Sequence, residues 1–191
     1  AAGACVILAT PRILKLGEEK ILGHLVKLEP DAVLVRSWAA LVSMSRLAPT
    51  IPLHGDFSLN ITNSISAAFV LAQPGLATAT VAHDLDHAQL AALLAASTPA
   101  RLAVTVHHHI PTFHTEHCVY AHLLSGGADF RSCGRPCEQH EVSLRDRTAL
   151  VHPVVVDIGC RNTVFNAQAQ SAAALVPELL AQGVQIGRAH V

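Results

Sequence analysis

No apolar run in the sequence approaches the ~20 residues that a helix needs to span a bilayer. Stretches such as "AAFVLAQPGLATATVA" are broken by Pro74 and Gly75 and read as helix, turn and strand, so no membrane span is expected. Charge is scarce too: 14% of the residues are charged and the formal net charge is −1. That excludes a binder that depends on a broad basic face, while leaving room for an enzyme that touches RNA locally. No G-x-G-x-x-G follows the first strand-like run, which removes the usual dinucleotide signature. H-E-x-x-H and G-x-S-x-G are missing as well, so neither a zinc-protease helix nor a serine-hydrolase elbow is present. No signal peptide is recognisable at the start. A cytoplasmic or plastid location is expected, not secretion.

What remains is apolar and periodic. With 191 residues and 51% hydrophobic content, the chain is long enough for one domain with a real core. Short β-branched runs recur: "CVILAT", "AVLVR", "IPLHGD", "TATVAH", "LAVTVHH" and "PVVVDIG". Such runs suit strands buried on both faces of a parallel sheet. Helical patterns lie between them. "EEKILGHLVKLEP" stops at Pro30; "TNSISAAFVLAQPG" has Thr62 or Asn63 as N-cap; "DLDHAQLAALLAAS" begins on an Asp cap; "QSAAALVPELLAQG" ends at Gly183.

Strand alternating with helix predicts an α/β fold with parallel strands, either doubly wound or a (β/α)8 barrel. Polar residues cluster after the strand runs, at His54 to Asp56, His83-Asp84, His107 to His109 and Asp157 to Arg161. Barrel enzymes place their chemistry at such C-terminal strand ends, so part of a TIM-type barrel is the reading preferred. The alternation lapses from Ile110 to His152, and this stretch is expected to be a Cys-rich insertion with little regular structure.

That stretch holds "HTEHCVYAHLLSGGADFRSCGRPCEQHE", residues 114 to 141. Cys133 and Cys137 have a C-x3-C spacing that lets two thiolates face one point across a tight turn. Cys118 enters from one side, and Cys160 follows the last strand run. Four thiols from three segments suit a zinc site or a [4Fe–4S] cluster. Buried free thiols and disulfides stay open as alternatives. Cys5 lies in a strand run and reads as a packed core thiol. In "VHHHIP", only His107 and His109 can share a strand face. His114 and His117 can donate to ligands from behind. Glu116 is either a general base or an ion-pair partner. The nearby arginines, Arg131, Arg135, Arg145, Arg147 and Arg161, either pair with local carboxylates or take a substrate phosphate or carboxylate.

"FHTEHCVYAHLLSGGADFRSCGRPCEQHEVSLRDR", followed by "HPVVVDIGCRNTVFNAQAQSAA", resembles the peptidase U32 family of collagenase-like proteins, in a longer branch found in plastid-bearing and some bacterial lineages. The specific part is the E-H-C…C-G-x-P-C…G-C-R-N-T framework; "TPRILKLGEE" and "DFSLNITNSISA" also fit. The resemblance implies a (β/α)8-type barrel, of which residues 1–185 would be an incomplete piece. It implies a [4Fe–4S] cluster on Cys118, Cys133, Cys137 and Cys160, with zinc as the alternative metal. It implies either oxygen-independent hydroxylation of RNA or of a small aromatic substrate, or cleavage of peptides. A zinc-stabilised module without catalysis is a third reading. Asp56, Glu116, His117, Asp157 and Arg161 are the catalytic candidates. The last six residues, "IGRAHV", back-translate to the start of a common sequencing-library adapter, so 186–191 is expected to be a non-native tail.

Overall fold

The computed structural model describes residues 3–127, 129–157 and 159–189, and these form two compact units. The first comprises residues up to Val106 together with Ala172–Ala189; the second runs from His107 to Ser171.

In the first unit, strand and helix alternate: β1 (Ile7–Ala9), α1 (Lys20–Lys27), β2 (Ala32–Val35), α2 (Trp38–Leu47), β3 (Leu53–Gly55), α3 (Ser64–Leu71), β4 (Leu76–Thr80), α4 (His87–Ala95) and β5 (Leu102–His108). The strands pair in parallel in the order β1-β2-β3-β4-β5. This sequential order decides between the two expected folds. A doubly wound sheet reverses direction partway, whereas right-handed crossovers that all step the same way put every helix on one face. The sheet is the curled wall of a half-barrel; the described residues do not close it into a full TIM barrel.

The helices start where cap chemistry allows. Asn63 accepts from the Ser66 amide, while the Ser66 hydroxyl accepts from the Asn63 amide, making a capping box at α3. Asp86 and Gln89 do the same at α4, so the cap there is Asp86 and not Asp84. Each such cap is worth about 1 kcal/mol. Helix α2, capped by Ser37, has no counterpart among the helical patterns read from the sequence. The core lies between helices and sheet. Leu22 of α1, Leu41 and Met44 of α2, Val70 of α3, and Leu90, Leu93 and Leu94 of α4 pack with Val33, Val35, Leu53, Ala79 and Leu102 of the strands. Each large side chain buried there contributes roughly 1.5–3 kcal/mol.

Cys5 is exposed ahead of β1, so the expectation of a core thiol fails: the chain has not yet entered the sheet at that point. After the second unit the chain returns through α6 (Val176–Ala181), followed by Gly183 at φ +90°, to a last strand, Ile186–Ala189, which pairs with β5.

The second unit departs from the sequence reading. The stretch expected to have little regular structure carries β6 (Pro111–Thr115), α5 (Val119–Leu124) and β7 (Val142–Arg145), and leads into β8 (Val151–Val156) and β9 (Asn162–Phe165). These strands form an antiparallel sheet in the order β6-β9-β8-β7. "PVVVDIG" is thus a strand of this small sheet and not part of the parallel wall. Its alternate residues are exposed, Val151 and Val155 among them, as an antiparallel sheet with one solvated face permits. The short strand β10 (Gln170–Ser171) pairs antiparallel with the end of β5. Among the described residues no helix is long and apolar enough to cross a membrane.

The apolar core of the second unit is thin. Tyr120, Val154 and Pro136 are buried, whereas Phe113, Leu123, Leu124, Phe130, Leu144, Leu150, Val151 and Val155 are exposed. Tyr120 compensates with a polar tie: its hydroxyl donates to the Val154 carbonyl at 2.7 Å and accepts from the Val142 amide at 3.3 Å. Hydrogen bonding, more than packing, holds this unit.

Candidate functional site

Cys118, Cys133, Cys137 and Cys160 all fall in the second unit, and all are half-buried free thiols. Cys118 is the residue before α5, Cys137 sits in the single turn Pro136–Glu138, and Cys160 lies in the turn between β8 and β9. Burial pushes the Cys160 thiol above its ordinary value. Charge on Cys118, Cys133, Cys137 and Asp157 pushes it in the same direction. The four thiols therefore share one electrostatic neighbourhood. They are not arranged as a finished coordination site: among the described residues, no group of three or more His, Cys, Asp or Glu side chains is placed to hold a metal ion.

The backbone that presents the thiols is specified locally. A Cβ on Gly127 would stand 2.3 Å from the Ser132 carbonyl oxygen and 2.5 Å from the Cys133 nitrogen, so only glycine lets these strands of chain cross. The Asp129 carboxylate accepts from the Arg131 amide and from the Ser132 amide and hydroxyl. The bond from the Ser132 hydroxyl, then that from Arg131, lowers the Asp129 carboxyl below its usual range. The Cys133 amide donates to the Asp129 carbonyl at 2.9 Å. Gly134 and Arg135 then both take left-handed φ values, +68° and +53°, which reverses the chain before Pro136.

The Cys160 turn is built as firmly. The Asp157 carboxylate accepts from the Gly159 amide at 2.8 Å and from the Arg161 amide at 2.9 Å. Cys160 itself has φ +60°, a conformation that costs a non-glycine residue about 1–2 kcal/mol. A thiol stands where glycine would be easier. Such strain persists only where surrounding contacts impose it, and it gathers at functional positions.

Arg161 follows, with a side chain only 2% exposed, and its Nε donates to Glu116 at 2.8 Å. The guanidinium lies against Gly159, where a Cβ would meet Nη1 at 2.5 Å. Glu116 is thus the ion-pair partner of a buried arginine, two residues before Cys118. Asn162 adds the second tie: its side-chain oxygen accepts from the Val119 amide at 2.8 Å, and its amide reaches the Cys160 carbonyl at 3.4 Å. Arg161 and Asn162 together hold the Cys160 turn to the Cys118 segment.

The other candidates fall outside this brace. His117 is exposed, with its ring edge-on to His122 at 5.1 Å. His114 is spent on a 2.8 Å contact to the Thr163 hydroxyl across β6 and β9. Asp56 belongs to the first unit, directly after β3, where it is buried, 3.5 Å from Arg36 and 3.3 Å from the Ser58 hydroxyl. Asp157 belongs to the second unit, in the antiparallel hairpin. Asn162, Gly127 and Gly159 were not singled out in the sequence. The run "GCRNT" was the signal for two of them; Gly127 gave none, because its role is an approach of distant backbone.

The sequence profile of peptidase family U32 matches residues 7–188, nearly the whole chain. The chain belongs to peptidase family U32. No curated protein and no solved structure gave a match.

Proposed function

We propose that Cys118, Cys133, Cys137 and Cys160 hold a [4Fe–4S] cluster, and that the protein is a U32-family enzyme that hydroxylates RNA or a small aromatic substrate. The observation that carries this is that Cys118, Cys133 and Cys137 all lie near enough to Cys160 for their charge to act on it, in a unit with little apolar core. The donor set fits the group: soft thiolates select iron–sulfur clusters and zinc over hard cations. Charge on the neighbouring thiols opposes ionisation of Cys160, and a bound cation would remove that repulsion. When bound, the cluster supplies one-electron chemistry.

The chain's own residues do the rest. The Glu116–Arg161 pair and Asn162 fix the two outer ligand segments, Asp157 fixes the hairpin, and His117 stands exposed next to Cys118 in sequence.

The family's peptidase label supports a second reading, with a nucleophilic Cys118 served by His117 or His114. A zinc-stabilised module without catalysis is the third reading, favoured by the thin core. Anaerobic purification followed by iron, acid-labile sulfide and zinc analysis separates them. Iron and sulfide in equal amounts support the cluster; zinc alone supports the module; neither metal, with peptide cleavage retained, supports the peptidase.

A further inference from the structure

The first unit carries a second group of chemistry-bearing side chains. Arg12 follows β1, Arg36 follows β2, Asp56 follows β3, and His83 lies three residues past β4. In a sheet of parallel strands these are all the same, C-terminal edge. The contacts confirm that they meet. The Arg12 guanidinium stands over the Phe57 ring at 5.2 Å, and that ring meets His83 edge-on at 4.5 Å. Arg36 Nε is 3.5 Å from the Asp56 carboxylate. His54, on β3, contacts the Thr78 hydroxyl at 2.6 Å. Arg188, on the last strand, is near enough to Asp56 and His54 for their charges to couple.

Arg36 and Arg188 have more N–H donors than Asp56 can accept from. A guanidinium has five N–H donors. Arg36 offers Asp56 one contact, at a distance longer than a charge-assisted hydrogen bond. Its terminal nitrogens donate to no protein acceptor among the described residues, and the half-buried guanidinium of Arg188 makes no hydrogen bond there either. Asp56 is buried and already engaged by the Ser58 hydroxyl. A cationic rim with unspent donors, at the strand edge where barrel folds bind substrates, is a place for an anion.

We propose that the C-terminal ends of β1 to β4 form a binding site for a phosphate group, anchored by Arg12 and Arg36. A carboxylate ligand needs one guanidinium; a phosphate, with its higher charge and three free oxygens, takes two from different directions. His54 and His83 are both held below their ordinary values, chiefly by burial; Arg188 adds to this at His54, while at His83 Asp84 and Asp56 oppose it and Arg12 adds to it. They therefore serve as neutral hydrogen-bonding walls near neutral pH. Neither the thiols nor a cluster enters this inference, so it stands or falls apart from the function proposed above.

The test is calorimetric titration of the whole chain with inorganic phosphate at constant ionic strength. Saturable binding is expected. Arg12→Gln should weaken it by roughly ten- to a hundredfold, since a charge-assisted hydrogen bond is worth about 1.5–3 kcal/mol. Arg36→Gln alone would leave Asp56 buried without a cation and could unfold the unit. The double variant Arg36→Gln/Asp56→Asn removes both charges and should weaken binding by a similar factor. Competition with a nucleoside 5′-monophosphate tells the source: displacement of phosphate points to a nucleotide ligand, and failure to displace it points to free phosphate. Absence of saturable binding in the parent, or equal binding in the folded Arg12→Gln and double variants, overturns the proposal.

Discussion

Gly126 and Gly127 are neighbours in sequence, yet they should respond oppositely to alanine. A Cβ on Gly126 meets nothing within 4 Å, whereas one on Gly127 lands 2.3 Å from the Ser132 carbonyl oxygen, 2.4 Å from its carbon and 2.5 Å from the Cys133 nitrogen. All three atoms are backbone, so no side chain can swing aside. Ordinary contact begins at 3.4 Å, and opening from 2.3 Å means that the crossing must part by 1.1 Å. That displaces Cys133 and strains its amide bond to the Asp129 carbonyl and the Gly127 amide bond to the Ser125 hydroxyl, both 2.9 Å. Overpacking costs about 1–3 kcal/mol and each lost hydrogen bond about 1. Gly127→Ala should therefore cost roughly 2–4 kcal/mol, against less than about 0.5 for Gly126→Ala. Hydrogen exchange of the 129–137 amides reads this locally, without requiring the two units to unfold together. Equal protection in the two variants would refute the close-crossing argument.

Other outcomes follow from the same geometry. Cys133→Ser and Cys137→Ser should each lose bound metal and make the second unit sensitive to protease, because serine cannot supply the soft thiolate; a nucleophile variant would lose turnover only. Tyr120→Phe removes the hydroxyl that serves Val154 and Val142, and urea unfolding should show a loss of about 1–3 kcal/mol for the stranded backbone groups. In the metal-free chain, Cys160 should alkylate more slowly than the exposed Cys5 at neutral pH. Its raised value contributes stability that is present below the unfolded thiol value and lost as pH rises through the folded one, so thermal melts should fall only on the alkaline side. Asp146, held at about 2, first by the Thr148 hydroxyl and then by His152, works in the opposite sense. Its contribution is present above the ordinary carboxylate value and lost as pH falls through about 2, and NMR titration of its carboxyl checks this.

The parallel wall was legible because its strands are short β-branched runs and its helices carry caps, although the sequence left Thr62 and Asn63 open at α3 and pointed to Asp84 where the cap of α4 is Asp86. Helix α2 was not, because "WAALVSMSRL" is apolar around most of its circumference and begins only two residues after the β2 run. The second unit hid for a different reason. Its strands are four to six residues long, half exposed, and separated by turns whose cysteines and glycines mask any period of two. "PVVVDIG" looked like a buried parallel strand because β-branched runs look alike whichever sheet receives them. Spacing singled out the four cysteines as a set, and in the structure all four fall in the second unit. The Arg161–Glu116 pair was half readable, since Glu116 was left open between base and ion-pair partner. The Asn162 tie to Val119 spans 43 positions, and no local pattern encodes it.

The central claim is that four thiols act together as ligands, and Cys160 tests it best because it is the one most clearly coupled to the other three. The measurement is the iron and acid-labile sulfide content of Cys160→Ser beside the parent, both purified without oxygen. The account predicts iron and sulfide in equal amounts in the parent and their loss or sharp reduction in the variant. A parent that carries neither iron nor zinc, or a Cys160→Ser chain that retains the full complement, would contradict it.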